Sequence, residues 1–173
     1  VEVAALSYGY GMSVNALQLA QAYMVLANGG THYPVSLLKK EDTPRGRRVM
    51  SADTAAKVRR MLVSVVEQGT GTRADSDIYR LAGKTGTVHL VGANGYEKDQ
   101  YKALFAGMGP ADDPRIVTVV TVDAPSRSEY YGGEVAAPVF GRVMSDALRL
   151  LNVEPSGEPE MADGSGAAQG GQG

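Results

Sequence analysis

The chain has 173 residues, of which 43% are hydrophobic, a net charge of −2 and no cysteine. This length and composition predict one globular core, and the near-neutral charge gives no electrostatic basis for binding nucleic acid or an anionic membrane. The absence of cysteine excludes a disulfide framework and a thiolate metal site. The two histidines, His32 and His89, fit no metal-ligand spacing, so we predict neither a metal nor a cofactor.

Membrane and export signals are not evident in the pattern. No apolar run approaches the roughly 20 residues that span a bilayer. The first residues, Val1 to Ala5, have neither the charged flank nor the length of a signal peptide. We therefore expect any export signal or anchor to lie outside this chain.

The first predicted helix runs from Ala16 to Ala27, after a glycine-containing loop over residues 1–14. Asn15 can cap this helix, and Gln18 can complete a capping box. The helix is apolar almost all round, which is typical of a buried helix. Asn28-Gly29-Gly30 is expected to end it.

The next stretch, residues 31–50, predicts an irregular or hairpin-like surface excursion whose basic cluster (Arg45, Arg47, Arg48) is solvated. A second helix begins after Ser51, which caps it, and carries Asp53 in its first turn. Its apolar residues recur at helical spacing: Ala55, Val58, Leu62, Val65 and Val66. Lys57, Arg59 and Arg60 should largely face water. We interpret Gly69-Thr70-Gly71-Thr72 as a plain turn rather than a phosphate-binding loop.

Three strands are predicted to follow, over residues 78–91, 101–108 and 116–122. An Asn94-Gly95 pair marks the tip of the first hairpin, and the short connections imply an antiparallel meander. Branched residues on both faces of the third strand indicate that both sides of the sheet are covered.

A last helix should begin near Gly132-Gly133, with Pro138 in its first turn. Its apolar stripe is Phe140, Val143, Met144, Ala147, Leu148 and Leu151. This helix should cover one face of the sheet, and the two earlier helices the other. The predicted fold is therefore α+β, an αβα sandwich over residues 1–153, followed by a disordered Gly/Ser/Ala/Gln-rich tail over residues 154–173.

The segment Ala82-Gly83-Lys84-Thr85-Gly86-Thr87 is the best candidate for a functional site. Side chains alternate along a strand, so Lys84 and Gly86 should point one way, with the lysine directed inward, and Thr85 and Thr87 the other way. Because Gly86 has no Cβ, an extended peptide could lie against this backbone. The hydroxyls and the ammonium suit a carboxylate, and a backbone N–H past the glycine could face an oxyanion.

Two interpretations of this segment stay open. Lys84 could be an ordinary exposed lysine of a strand. Gly83 and Gly86, however, weaken a strand without an evident packing benefit, which favours a functional role.

Lys84-Thr85-Gly86 matches the Lys-Thr-Gly signature of penicillin-binding proteins and class A β-lactamases. Residues 1 to about 153 resemble the C-terminal part of the transpeptidase domain of a class B penicillin-binding protein, most closely the division-specific type. The segments that carry this resemblance are, in chain order, Ser7-Tyr8-Gly9-Tyr10-Gly11, Gln18 to Tyr23, Asn28-Gly29-Gly30, Gly69-Thr70-Gly71, Leu104 to Gly107, Tyr130 to Gly133 and Ala137 to Phe140.

The resemblance implies roles for particular residues. Lys84 and Thr87 would be catalytic: Lys84 would bond the serine of a Ser-x-Asn motif, and the Thr87 N–H would be an oxyanion donor. Substrate or drug would be bound by Thr85, Gly86, Thr87, Tyr101, Tyr130 and Tyr131. The three tyrosines could instead simply pack beside a glycine turn. Val88-His89 stands where relatives often carry a basic residue, which departs from the family pattern.

The other two signatures of the family are matched only by chance. Ser36-Leu37-Leu38-Lys39 fits Ser-x-x-Lys and Ser13-Val14-Asn15 fits Ser-x-Asn, but their order along the chain is reversed. Ser36 follows Pro34 in a loop-like stretch, whereas the nucleophile needs the start of a buried helix so that lysine can reach it. We predict that neither motif is functional and that the nucleophile lies in a preceding segment outside this chain.

The function implied by the resemblance is a peptidoglycan D,D-transpeptidase of septal cell-wall synthesis that β-lactams acylate. Its partners would be the N-terminal remainder of the same protein, peptidoglycan stem peptides, β-lactam antibiotics and a division glycosyltransferase. It would lie at the periplasmic face of the bacterial inner membrane, anchored by an upstream segment. The alternatives are a serine β-lactamase, a D,D-carboxypeptidase, and a non-catalytic β-lactam sensor or peptide-binding domain.

Overall fold

A computed structural model describes residues 12–42, 44–92, 95–125 and 130–156, with the backbone alone described for 91, 92 and 95–99. Most of the predicted N-terminal loop, Asn94 of the predicted turn and most of the predicted tail lie outside these residues. The helices are α1 (Ala16–Ala27), α2 (Ala52–Gln68), α3 (Gly132–Val135) and α4 (Ala137–Leu150). The strands are β1 (Thr31–His32), β2 (Arg47–Arg48), β3 (Ala82–Gly92), β4 (Gly95–Gly109) and β5 (Ile116–Asp123).

Helix α1 begins and ends where the sequence predicts. The Asn15 side chain accepts from the Gln18 N–H, and the Gln18 side chain accepts from the Asn15 N–H, which completes the capping box. Gly29 and Gly30 follow with φ of +59° and +91°, values that glycine adopts without steric cost. The prediction of a buried helix was wrong: among the twelve described residues of α1 only Val25 is buried, and Leu17 is 52% exposed.

The connection to α2 is a small hairpin, as predicted. Strands β1 and β2 pair antiparallel. Arg48 of the basic cluster is exposed and donates hydrogen bonds to the carbonyls of Gly29 and Met50. Ser51 caps α2 through the Thr54 N–H, and Arg59 is half-buried rather than fully solvated.

The central sheet is the predicted antiparallel meander, with strand order β3-β4-β5 among the described residues. The register places Thr85 opposite Phe105, Thr87 opposite Ala103 and His89 opposite Tyr101. Residues 78–81 do not belong to β3, which corrects the predicted strand bounds. The carbonyls of Ile78 and Arg80 accept from the N–H groups of Ser156 and Ala111, so they bond to loops and not to a strand ladder.

The two faces of the sheet support two apolar clusters, which confirms the predicted αβα layering. On one face Phe105 packs against Phe140 of α4 with ring centroids 4.5 Å apart, beside Met144 and Leu148. On the other face Val63 of α2 and half-buried residues of α1 contact Ala82, Met108 and Val117. Val143 and Leu151, which were expected in the apolar stripe of α4, are 48% and 59% exposed.

None of the helices in the described part of the chain combines the length and apolar character that crossing a membrane requires.

Candidate functional site

The start of β3 carries a cluster of three polar side chains. The Lys84 ammonium donates to the Thr85 hydroxyl oxygen at 2.9 Å and to the Thr85 carbonyl at 3.1 Å. It also lies 3.4 Å from the Thr70 hydroxyl oxygen, and the Thr70 and Thr85 hydroxyls bond each other at 2.9 Å. An ammonium and two hydroxyls therefore meet at one place on the strand.

This cluster corrects the predicted direction of Lys84. Lys84 is exposed and does not point inward. Its long side chain turns back toward the hydroxyl oxygens of Thr85 and Thr70. Thr85 and Thr87 do share a face, as predicted: Thr85 lies opposite Phe105, which packs against α4, and Thr87 contacts Gly132 of α3.

The Thr87 side chain is hydrogen-bonded to Gly132, the first residue of α3. Its hydroxyl oxygen accepts a hydrogen bond from the Gly132 N–H at 2.9 Å. A Cβ on Gly132 would lie 2.4 Å from the Gly86 carbonyl oxygen and 2.5 Å from that of Leu104. Only glycine therefore lets the start of α3 approach the strands so closely.

An aromatic row continues along the same face. His89 lies against Tyr101 with ring centroids 4.5 Å apart, Tyr101 stacks on Tyr130 at 4.2 Å, and Tyr130 contacts Tyr131 at 4.4 Å. The structure thus brings together the three tyrosines that the sequence placed in the site. Tyr131 is 54% exposed and offers a ring surface to solvent.

The two hydroxyls at the end of the row are joined. Tyr130 donates to Tyr131 at 3.1 Å. The main causes that raise the pKa of Tyr130 to about 12 are this hydrogen bond and, to a smaller extent, the electrostatic interaction with Tyr131. Tyr130, which is already neutral at physiological pH with its ordinary pKa of 10.0, thus remains a neutral hydrogen-bonding group.

A surface groove of about 330 Å³ lies beside the cluster. Its lining includes Thr70, Thr85, Thr87, Tyr131, Gly132 and Glu134. A larger groove, of about 530 Å³, lies away from the strand motif between residues 73–78 and α4. The smaller groove is the one that places hydroxyl donors beside an aromatic surface, a combination that suits a carboxylate with an apolar substituent.

The prediction that Gly83 and Gly86 lack a packing benefit was wrong for Gly83. A Cβ on Gly83 would lie 2.3 Å from the Phe105 ring and 2.9 Å from the Ala106 carbonyl oxygen. A Cβ on Gly86 would meet the Leu104 side chain at 2.7 Å. Gly83 thus has a packing reason of its own, because the Phe105 ring occupies the space that a side chain would need.

The two chance motifs are local structure. The Ser36 hydroxyl donates to the Leu38 carbonyl and accepts from the Leu38 N–H in an exposed loop. Asn15 caps α1. Neither serine stands at the start of a buried helix, so the geometry supports rejecting both.

Two residues of the site were missed from the sequence. Thr70 was assigned to a plain turn and Gly132 to the start of a helix, yet both bond the side chains of the strand motif. The sequence did contain a weak signal for each, since both stand in segments that carry the family resemblance.

Comparison with known proteins agrees with the strand motif. Residues 1–145 match a family described as the penicillin-binding protein transpeptidase domain. The chain is 43% identical, over 157 residues, to the probable peptidoglycan D,D-transpeptidase PenA of Neisseria flavescens, and 40% identical, over 156 residues, to the peptidoglycan D,D-transpeptidase FtsI of Escherichia coli K12. Each alignment covers 90% of this chain but only 39% and 26% of the respective relative.

A solved structure shows the same fold. The apo transpeptidase domain of Burkholderia pseudomallei penicillin-binding protein 3 is similar with a TM-score of 0.81 at 46% identity. The alignment covers 88% of this chain and 47% of that one. The chain therefore spans less than half of the proteins that it matches here.

Proposed function

The chain belongs to the family of penicillin-binding protein transpeptidase domains, and from this premise we propose that it forms the C-terminal part of a peptidoglycan D,D-transpeptidase. The observation that carries the proposal is the cluster of Lys84, Thr85 and Thr70 beside a groove with an aromatic side. Hydrogen-bond donors in this arrangement suit the terminal carboxylate of an acyl donor.

The proposed reaction is acyl transfer. A serine attacks the penultimate D-Ala carbonyl of a stem peptide, the last D-Ala leaves as the free amino acid, and an amine of a neighbouring stem takes the acyl group from the serine. A β-lactam acylates the same serine by opening of its ring, so that the leaving nitrogen stays attached to the acyl group, and the acyl-enzyme persists because no water is positioned to hydrolyse it.

The strand motif supplies binding and charge stabilisation, not the nucleophile. Thr85 and Thr87 bind the donor carboxylate, and Lys84 holds the site positive and bonds a second serine. Because β3 pairs with β4 on one side only among the described residues, alternate N–H groups of β3 face away from β4. The Thr87 N–H is proposed as one such oxyanion donor, a contribution of about 3 kcal/mol to barrier lowering in comparable sites.

Three further parts of the proposal depend on polypeptide outside this chain. The serine nucleophile and its lysine base come from a preceding segment of the same protein, in keeping with the fraction of each relative that the chain covers. The protein acts at the periplasmic face of the inner membrane through an upstream anchor. A division-specific role with a partner glycosyltransferase is part of the proposal, and the similarity to FtsI of Escherichia coli supports the division role.

Labelling of the complete protein with a fluorescent penicillin tests this function. We expect a covalent adduct that survives denaturation and that an excess of unlabelled β-lactam prevents. Absence of an adduct would contradict the proposal.

The lifetime of the adduct separates the alternatives. A long-lived acyl-enzyme, together with release of D-Ala and formation of cross-linked product from stem peptides, supports the transpeptidase. Rapid hydrolysis of the adduct indicates a β-lactamase, and hydrolysis of stem peptides without cross-linking indicates a carboxypeptidase. A stable adduct with no turnover of stem peptides indicates a sensor domain.

A further inference from the structure

We propose that Thr70 is a positioning residue that makes the Thr85 hydroxyl a donor toward the carboxylate of the acyl donor. This inference deepens the proposed function and rests on it. Thr70 does not belong to the strand motif and is separated from Thr85 by 15 residues of chain.

The Thr85 hydroxyl can form only a limited number of hydrogen bonds. A threonine hydroxyl has one O–H donor and two acceptor lone pairs. The Lys84 ammonium, which can only donate, already bonds the Thr85 oxygen at 2.9 Å. One lone pair of Thr85 is therefore occupied before Thr70 is considered.

Either hydroxyl of the Thr70 and Thr85 pair can be the donor in their 2.9 Å bond. An anion in the groove accepts but cannot donate, so it favours the arrangement in which Thr85 keeps its O–H for the anion. In that arrangement Thr70 donates to Thr85 and fills its second lone pair. The only hydrogen-bonding function left on Thr85 is then its O–H, which selects an acceptor such as a carboxylate oxygen.

The Thr87 hydroxyl oxygen also accepts a hydrogen bond, but from a backbone N–H group. This donor is the Gly132 N–H, at 2.9 Å, which leaves the Thr87 O–H for a ligand. In the proposed arrangement each of the two threonines of the motif thus accepts a hydrogen bond from a donor outside β3. Thr70 does for Thr85 what the Gly132 N–H does for Thr87.

The backbone of the turn that carries Thr70 is held in place from two directions. The N–H groups of its neighbours Gly69 and Gly71 both bond the Val65 carbonyl, at 3.1 and 3.0 Å, which attaches the turn to the end of α2. Gly133 lies against the Thr70 carbonyl so closely that a Cβ there would be 2.3 Å from the oxygen. A hydroxyl on a turn fixed in this way is preorganised for its role.

The test compares Thr70→Val and Thr70→Ser in the complete protein. Valine keeps the shape but lacks the hydroxyl, and serine keeps the hydroxyl. The matched control is Thr54→Val at the start of α2, since Thr54 also forms a hydroxyl-to-hydroxyl bond, with Ser51 at 2.7 Å, but near the opposite end of that helix. Unfolding midpoints of all variants show whether each is folded.

The readout is the rate of acylation by two thiolester donors that differ only at the terminus, one with a carboxylate and one with a carboxamide. We expect Thr70→Val to lower the rate about tenfold with the carboxylate donor, because the Thr85 O–H is then no longer held toward the carboxylate and its hydrogen bond to that charged group is weakened. The carboxamide rate should change little. Thr70→Ser should restore the carboxylate rate, and Thr54→Val should leave both rates unchanged.

Three outcomes would overturn the inference. Wild-type rates for Thr70→Val with both donors mean that the hydroxyl is not used. Equal losses with both donors, or no restoration by serine, mean that Thr70 supports the fold and not the carboxylate. A wild-type protein that is not acylated by the fluorescent penicillin refutes the proposed function and this inference together. If the wild type is acylated but Thr70→Val slows both thiolester donors equally, only the inference is refuted.

Discussion

The Thr87 hydroxyl oxygen accepts a hydrogen bond from the Gly132 N–H at 2.9 Å, across 45 residues of chain. This bond attaches the first residue of α3 to the strand motif. The two residues just before Gly132 are Tyr130 and Tyr131, which continue the aromatic row from Tyr101. The hydroxyl donors and the aromatic surface of the groove are therefore held in one arrangement by a contact between β3 and α3.

Substituting Gly132 tests how closely the start of α3 must approach the sheet. In Gly132→Ala the new Cβ would lie 2.4 and 2.5 Å from two backbone oxygens of β3 and β4, which cannot move independently of the sheet. We expect a loss of about 1–3 kcal/mol in the free energy of unfolding, measured by chemical denaturation of the complete protein. Ser64→Ala, at an exposed position of α2, is the control and should cost much less; an equal loss would contradict the packing argument.

The two glycines that flank Lys84 should respond differently to alanine. Gly83→Ala places its Cβ against the buried Phe105 ring and the Ala106 carbonyl, whereas the nearest atoms to a Cβ in Gly86→Ala belong to the Leu104 side chain, which can change rotamer. We expect the larger loss of stability for Gly83→Ala and, with folding largely retained, the larger specific loss of acylation for Gly86→Ala. Denaturation and penicillin labelling measured on the same samples check both. If Gly86→Ala lost more stability than Gly83→Ala, the Phe105 side chain would move away from a new Cβ more easily than the Leu104 side chain does.

Removal of the Lys84 ammonium should abolish acylation. Lys84→Ala takes away the donor that bonds Thr85 and approaches Thr70, and with it the positive charge beside the proposed carboxylate site. Labelling of the complete protein with fluorescent penicillin measures the effect. Lys57→Ala, which removes an exposed lysine paired with Asp53 on α2, is the control; undiminished labelling of Lys84→Ala would refute the catalytic role of the lysine.

Alkaline pH should weaken the fold through Tyr23. Burial raises the pKa of Tyr23 from 10.0 to about 12, so the folded protein holds this proton more tightly than the unfolded chain does. Its contribution to stability is present below pH 10 and is lost as pH rises toward 12, because the unfolded state then binds fewer protons. The free energy of unfolding of Tyr23→Phe should fall less steeply over this range than that of the wild type, and parallel curves would contradict the assignment.

The β5 edge predicts how residues 1–155 behave when expressed alone. Among the described residues β5 pairs with β4 only, and its side chains include Ile116, Val117 and Val119. An unpaired apolar strand is a template for association, so we expect this fragment to aggregate in light scattering and size-exclusion experiments. Thr121→Lys, which adds a charge on the strand, should reduce aggregation more than Ser64→Lys on α2. A monomeric fragment that melts cooperatively would contradict the prediction.

Local signals determined the elements of this protein. The Asn15 and Gln18 capping box, the glycines after α1 and the short connections of the meander each act within a few residues, and the structure confirms the helix start, its end and the strand order. The Lys-Thr-Gly signature is equally local and indicated the strand that carries the candidate site. Patterns of this kind can be read from the sequence because neighbouring residues alone produce them.

The tertiary structure decided how the side chains of the site are used. Thr70 reaches Thr85, and Gly132 reaches Thr87, because α2 and α3 pack against the same strand from different parts of the chain. The same packing places the Phe105 ring where a side chain at position 83 would lie, so that this position requires glycine. It also brings Lys84 close to two hydroxyl oxygens. Contacts across 15 and 45 residues depend on where whole elements pack, and no periodicity along the chain encodes that position.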